Sequence, residues 1–222
     1  MMYKYALFDL DGTLLDTSSG VISSIRKMVS DESLPEIPDD ILISFIGPPI
    51  ENSIKSYYKF EDEKVSYLAG IFRKYYSTSE YLFQAEPYPG LYELLDSLKN
   101  NNIKIAVATN KRHVYAMPLL EHFGISQYCH VMHGSDNEKK QNKHLIILQC
   151  LEDLKVANLK ECVLIGDTIH DAHGAKEAGI DFIGVTFGFG FKKGVDIPDN
   201  CIYLADTNNE LNGIFINERR LI

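Results

Sequence analysis

The sequence predicts an α/β protein: a three-layer core around a parallel sheet, interrupted near its start by an all-helical domain. Three observations predict it. Short apolar runs alternate with segments of helical period through most of the 222 residues. Residues 15–85 break that alternation and carry helix-period stripes alone. Several of the apolar runs end in acids, or in a hydroxyl beside an amide, as Asp9, Thr109-Asn110 and Asp167 do.

Taken in order, the first strand is read at 3–9, around Tyr5-Ala6-Leu7-Phe8. The insert follows. Val21, Ile22, Ile25, Met28 and Val29 form one stripe, and Val65, Leu68, Phe72 and Tyr76 another. Pro35, Pro38 and Pro48-Pro49 punctuate it, and Pro87-Tyr88-Pro89-Gly90 closes it. The boundaries drawn are 1–14 with 86–222 for the core and 15–85 for the insert. Both linkers are expected at the carboxyl edge of the sheet, where open α/β folds bind ligands. Leu91, Leu94, Leu95 and Leu98 share a helical face before a strand at 103–109. Pro118 lies inside a helix read at 113–123, which predicts a late start or a kink. A strand at 129–133 precedes a helix beginning near Lys143, with Ile147, Leu148, Leu151 and Leu154 on one face. Strands at 162–166 and 182–186 flank a helix at 171–178, and 201–204 is an edge strand. Gly124 and Gly179 stand where helix C-caps belong.

Bulk properties exclude some functions. Apolar residues make up 45% and charged residues 24%, the balance of a soluble globular protein. A net charge of −9 argues against nucleic acid or an anionic membrane as the main partner. The N-terminal apolar run is about four residues, short of the roughly seven of a signal core, and no stretch approaches the roughly 18 that a membrane span needs. Cys129, Cys150, Cys162 and Cys201 match no metal spacing and read as reduced core thiols of a cytoplasmic protein.

The acids carry the chemistry. In an extended segment residues i and i+2 point the same way, so Asp9 and Asp11 are expected to face one space. Two carboxylates there repel unless a cation sits between them or one keeps its proton. Gly12 permits a sharp turn that could aim loop amides at an anion. Gly166-Asp167-Thr168 ends a second strand, with Asp171 four residues beyond Asp167 as either a helix N-cap or a further acid of the site. Four acids at two strand ends, without clustered Cys or His, suit Mg²⁺ better than zinc. Thr109-Asn110 is either a plain turn or a holder of phosphate oxygens. Of Lys139, Lys140 and Lys143, the last is best placed to add a cation. Lys111-Arg112-His113 reads as surface charge, and the pairs Tyr57-Tyr58 and Tyr75-Tyr76 as packing.

These elements, in this order, resemble the haloacid dehalogenase superfamily of phosphotransferases. Asp9-Leu10-Asp11-Gly12-Thr13 is similar to its first motif, Thr109-Asn110 to its second, Lys143 to its third, and Gly166-Asp167-Thr168 with Asp171 to its fourth. The resemblance runs from about residue 3 to 190 and implies a Rossmann-like core with a helical C1 cap. Phe45-Ile46-Gly47-Pro48-Pro49 and Gly188-Phe189-Gly190 resemble the phosphoglycolate-phosphatase-like subgroup. His144 departs from the proline that often follows the third-motif lysine; helix register still favours Lys143, with Lys139 and Lys140 as alternatives.

The resemblance implies roles. Asp9 is the nucleophile, forming an aspartyl-phosphate that water hydrolyses. Asp11 is the general acid, then base, with a cap closing over it to raise its pKa. Mg²⁺ is held by Asp9, the Asp11 carbonyl and Asp167, while Gly166 and Asp171 support it from behind. Lys143, Thr109 and the amides of Leu10 and Asn110 bind phosphoryl oxygens. Gly47, Pro48 and Pro49 are candidate substrate contacts in the cap. The expected partner is a small phosphorylated metabolite, not nucleic acid or membrane, acted on by a monomer or homodimer. A phosphosugar mutase, a nucleotide 5′-phosphatase or pyrophosphatase, and a non-catalytic phosphate-binding regulatory protein are the alternatives. Dehalogenation needs neither a protonating Asp11 nor the Mg²⁺ cluster.

Overall fold

The computed structural model describes residues 3–136, 142–192 and 197–216. The chain forms two compact units, one reaching up to Leu15 and resuming at Pro87, the other spanning Asp16–Glu86.

The first unit is built on a six-stranded sheet. Its strands are β1 (Tyr5–Phe8), β4 (Lys104–Arg112), β5 (Cys129–Ser135), β6 (Cys162–Gly166), β7 (Asp181–Val185) and β8 (Cys201–Ala205), in the spatial order β5-β4-β1-β6-β7-β8. Every neighbouring pair is parallel. Both faces are therefore covered, and the central strands are apolar without alternation: Ala6, Leu7 and Phe8 of β1 and all five residues of β6 are buried. On one face α8 (Lys143–Asp153) and α9 (Ile169–Ala178) pack together, joining Ile146, Ile147, Cys150, Ala172 and Ala175 to Leu7, Leu164 and Phe182. On the other, α6 (Leu91–Asn100) and α10 (Asn208–Ile216) pack together, and α7 (His113–His122) lies against β4 and β5. This is the three-layer Rossmann-like core that the alternation predicts.

Four details differ from expectation. First, β4 runs on to Arg112, past the expected end at Thr109. Second, α7 starts at His113 despite Pro118 within it. The carbonyl that Pro118 leaves unbonded belongs to Val114, which is exposed, so water can satisfy it. Third, α9 begins at Ile169, before Asp171, because Thr168 caps it. Fourth, Leu148 is 39% exposed; the buried face of α8 is Lys143, Ile146, Ile147, Cys150 and Leu151. Of the cysteines, Cys150 and Cys162 are buried while Cys129 and Cys201 are only half-buried, and all four are free thiols.

The second unit contains α1 (Ser18–Asp31), α2 (Asp39–Leu42), α3 (Ile50–Tyr58), α4 (Asp62–Tyr76) and α5 (Ser79–Leu82). The stripe Val21, Ile25, Met28 and Val29 of α1 packs with Val65, Leu68, Ala69 and Phe72 of α4. The Tyr57 and Tyr58 hydroxyls bond the carbonyls of Glu36 and Pro35, so they pin the proline-rich connection, a packing role. The chain passes between units through two-residue strands, β2 (Leu15–Asp16) and β3 (Glu86–Pro87). Among the described residues no helix is long and apolar enough to cross a membrane.

Candidate active site

β1 and β6 are neighbours with Phe8 opposite Ile165, so the chain leaving either strand reaches the same sheet edge. Asp9 follows β1 at once, its N–H still bonded to the Ile165 carbonyl at 2.9 Å. Asp167 follows β6. Asp171 arrives from the first turn of α9, and Lys143 is the first residue of α8. Lys143 lies on the helix face that also carries Ile146, Ile147 and Cys150, which is why an ammonium is buried here.

Asp9, Asp167 and Asp171 bring carboxylate oxygens within 4.8 Å of one another, and all three are buried. The Lys143 ammonium bonds Oδ1 of Asp9 at 2.6 Å and Oδ1 of Asp171 at 2.6 Å. Asp171 Oδ2 accepts from the Thr168 N–H (3.0 Å) and hydroxyl (2.6 Å), closing a capping box. Both of its oxygens are thus engaged. Asp167 differs: Oδ2 accepts from the Phe189 and Gly190 amides at 2.7 and 3.2 Å, but its buried Oδ1 has no hydrogen-bond partner among the described residues.

Burial pushes the Asp167 carboxyl up to about 8, with Asp171 and Asp9 adding to the rise against the two loop amides. Burial likewise raises Asp9 to about 6, with Lys143 opposing it. For Lys143 burial works downward, but Asp171 and Asp9 hold it above the ordinary lysine value. Among the described residues three carboxylates face one ammonium, so as described the cluster lacks two positive charges when fully ionised. Hard oxygen donors, a buried orphan acceptor and that deficit together fit a divalent metal ion.

The Asp11 carboxylate does not join them. The Lys111 ammonium binds both its oxygens, at 2.9 and 3.3 Å, and the two side chains are 13% and 7% exposed. Asp11 still acts on Asp9, its carboxylate adding to the rise of the Asp9 value, and the chain turns at Gly12 immediately beyond them. Thr109 is buried in β4, its hydroxyl accepting the Lys111 N–H at 3.1 Å. Asn110 is exposed and its carbonyl accepts from the Ser135 hydroxyl. Leu10 is buried, with its carbonyl taking the N–H groups of Thr13, Leu14 and Leu15. At Gly166 a Cβ would lie 2.5 Å from the Asp171 side chain. Gly47, Pro48 and Pro49 are exposed in the second unit, where Pro49 caps α3. Lys139 and Lys140 lie outside the described residues.

A family model for haloacid dehalogenase-like hydrolases matches residues 6–185. The chain belongs to that family. It is 30% identical over 200 residues to a phosphoglycolate phosphatase of Agrobacterium fabrum, covering 87% of this chain and 82% of that protein. It is 28% identical to a 5′-nucleotidase of Pseudomonas aeruginosa, covering 93% of each. A haloacid dehalogenase-like family hydrolase from Streptococcus pneumoniae superposes with a TM-score of 0.87 at 27% identity, over 96% of this chain and 98% of that one.

Sequence reasoning about this haloacid dehalogenase-like hydrolase missed three participants. Lys111 was read as surface charge because the strand was ended at Thr109; two residues on in a continuing strand it returns inward. Thr168 escaped because Asp171 was itself considered as the cap. The amides of Phe189 and Gly190 carry no side-chain signal; the nearest sequence sign is the pair Gly188 and Gly190, where a Cβ would clash with Asp167.

Proposed function

We infer that this phosphoric monoester hydrolase is a Mg²⁺-dependent phosphatase of small phosphate monoesters that works through an aspartyl-phosphate on Asp9. The observation that carries the reading is the buried Asp167 Oδ1 beside Asp9, unpartnered among the described residues, in a cluster that among them is short of two positive charges. Asp9, Asp167 and the Asp11 carbonyl would hold the ion, with Asp171 behind them. When bound, the ion supplies positive charge that lets an anionic carboxylate approach an anionic ester.

The chain's own residues do the rest. Lys143 fixes Asp9 by one oxygen, so the carboxylate stands in one orientation at the strand end. An Asp9 oxygen bonds to phosphorus as the bond to the leaving alkoxide breaks, and Asp11 gives the alkoxide oxygen a proton so that it departs as the alcohol. Water then attacks the phosphorus and passes its proton to Asp11. The Asp9–phosphorus bond breaks and releases phosphate. Thr109 and the amides of Leu10 and Asn110 take the phosphoryl oxygens, and Lys143 balances their charge. A carboxylate paired with Lys111, outside the group of three acids, suits a group that serves the alcohol and the water.

The phosphoglycolate phosphatase and 5′-nucleotidase relatives favour a small phosphorylated metabolite as substrate, with a nucleoside 5′-monophosphate as the second reading. The test is phosphate release from p-nitrophenyl phosphate with Mg²⁺ and with chelator. Turnover is expected with Mg²⁺ only, and Asp9→Asn is expected to lower it at least about a thousandfold. Equal turnover in chelator, or an Asp9→Asn protein of near-normal rate, defeats the reading. Ranking phosphate esters by kcat/KM then separates a hydroxyacid phosphate from a nucleotide.

A further inference from the structure

Three consecutive amides of the segment after β7 are spent on one residue. Phe189 and Gly190 donate to Asp167 Oδ2, and Phe191 donates to the Asp167 backbone carbonyl at 2.7 Å. The segment approaches so closely that side chains are excluded. A Cβ on Gly188 would lie 2.2 Å from the Gly12 carbonyl oxygen and 2.5 Å from the Asp167 Cβ, and one on Gly190 would lie 2.3 Å from the Asp167 carbonyl oxygen. Phe191 anchors the far end in the core, and the Lys192 ammonium bonds the Gly188 carbonyl at 2.9 Å.

We propose that Gly188–Lys192 is a positioning clamp: by saturating Oδ2 of Asp167 it leaves Oδ1 as the one oxygen presented to a divalent cation. The proposal rests on the metal-dependent reading above. Among the described residues Oδ1 is buried and unpartnered although the same carboxylate's other oxygen has two donors, so the asymmetry is built by the loop. A carboxylate free to rotate would exchange its oxygens and lose the preset orientation, as happens when groups behind a metal ligand are removed. Gly188 and Gly190 are then glycine for the site's sake, because any larger residue pushes the donor amides off Asp167.

The experiment titrates Mg²⁺ alone into the metal-free 222-residue chain by calorimetry. Gly190→Ala is expected to raise the Mg²⁺ Kd by about tenfold or more, the scale for losing such support. Leu98→Ala, at a buried position of α6 on the opposite side of the sheet from α8 and α9, is the control for lost stability. It is expected to lower the melting temperature while leaving the Kd within about twofold, since distant sites act independently. Wild-type protein that binds no Mg²⁺ overturns the metal reading and the clamp together. Tight binding by wild type and Gly190→Ala alike overturns the clamp alone, as does an equal loss of affinity in Leu98→Ala. Should Gly190→Ala fail to fold, Lys192→Met decides: a Kd raised about threefold supports the clamp, and an unchanged Kd overturns it.

Discussion

Lys111 separates two kinds of acid in this site. Asp9, Asp167 and Asp171 share a buried space, while Lys111 pairs with Asp11. Lys111→Met should therefore lower kcat by about tenfold or more, through misplacement of Asp11, and leave the Mg²⁺ Kd unchanged; turnover within about twofold of wild type would return Lys111 to the surface-charge reading. Asp11→Asn should behave likewise, slowing turnover while sparing metal binding, because its proposed ligand is a carbonyl. Asp167 gives a pH prediction. Its folded value of about 8 lies above the ordinary carboxyl value of 3.8, so the fold keeps this proton where the open chain has lost it. Its contribution to stability then falls as pH rises from about 4 to about 8, and Asp9 adds a fall of the same sign up to about 6. Asp167→Asn removes the larger effect, so in chelator its melting temperature should gain on wild type progressively from pH 5 to pH 8. A constant difference would show that Asp167 ionises normally. Asp9, Lys143, Asp167 and Asp171 were all visible in the sequence because each follows an apolar strand or opens a helix. Lys111 and the loop amides were not, since their roles depend on a strand's true end and on backbone groups that every residue has.

At the scale of elements, α9 shows how a structural cap and a site residue are the same side chain. Thr168 and Asp171 bond each other reciprocally, and Asp171 also holds Lys143. Thr168→Ala should cost about 1 kcal/mol in urea unfolding, and it should lower turnover as well because Asp171 loses its anchor. A stability loss with full activity would confine Thr168 to capping. The sheet was legible because parallel strands, buried on both faces, appear as unbroken apolar runs. Helix faces were less so: Leu148 fits the period as well as Ile147 does, and only the placement of α8 over β4 and β5 decides which is covered. Strand ends were least legible, since β4 continues through polar residues whose pairing with β5 slips between Thr109 and Arg112.

For the molecule as a whole, the buried charge deficit among the described residues predicts that a divalent ion stabilises the folded chain. Mg²⁺ at about a hundred times its Kd should add about 2.7 kcal/mol, read as a rise in melting temperature that chelator reverses. No shift would mean that the acid cluster stays metal-free. The strand order has a further consequence for how the protein is made. β1 is synthesised first yet lies at the middle of the sheet, with Tyr5 paired to Lys104 on one side and Cys162 on the other. On the ribosome its apolar residues must wait for both neighbours, and only when β6 has emerged can the centre of the sheet assemble. The helical unit is completed during that wait, so it can fold first, and a nascent chain halted before β6 would expose its earliest strand to chaperones and proteases.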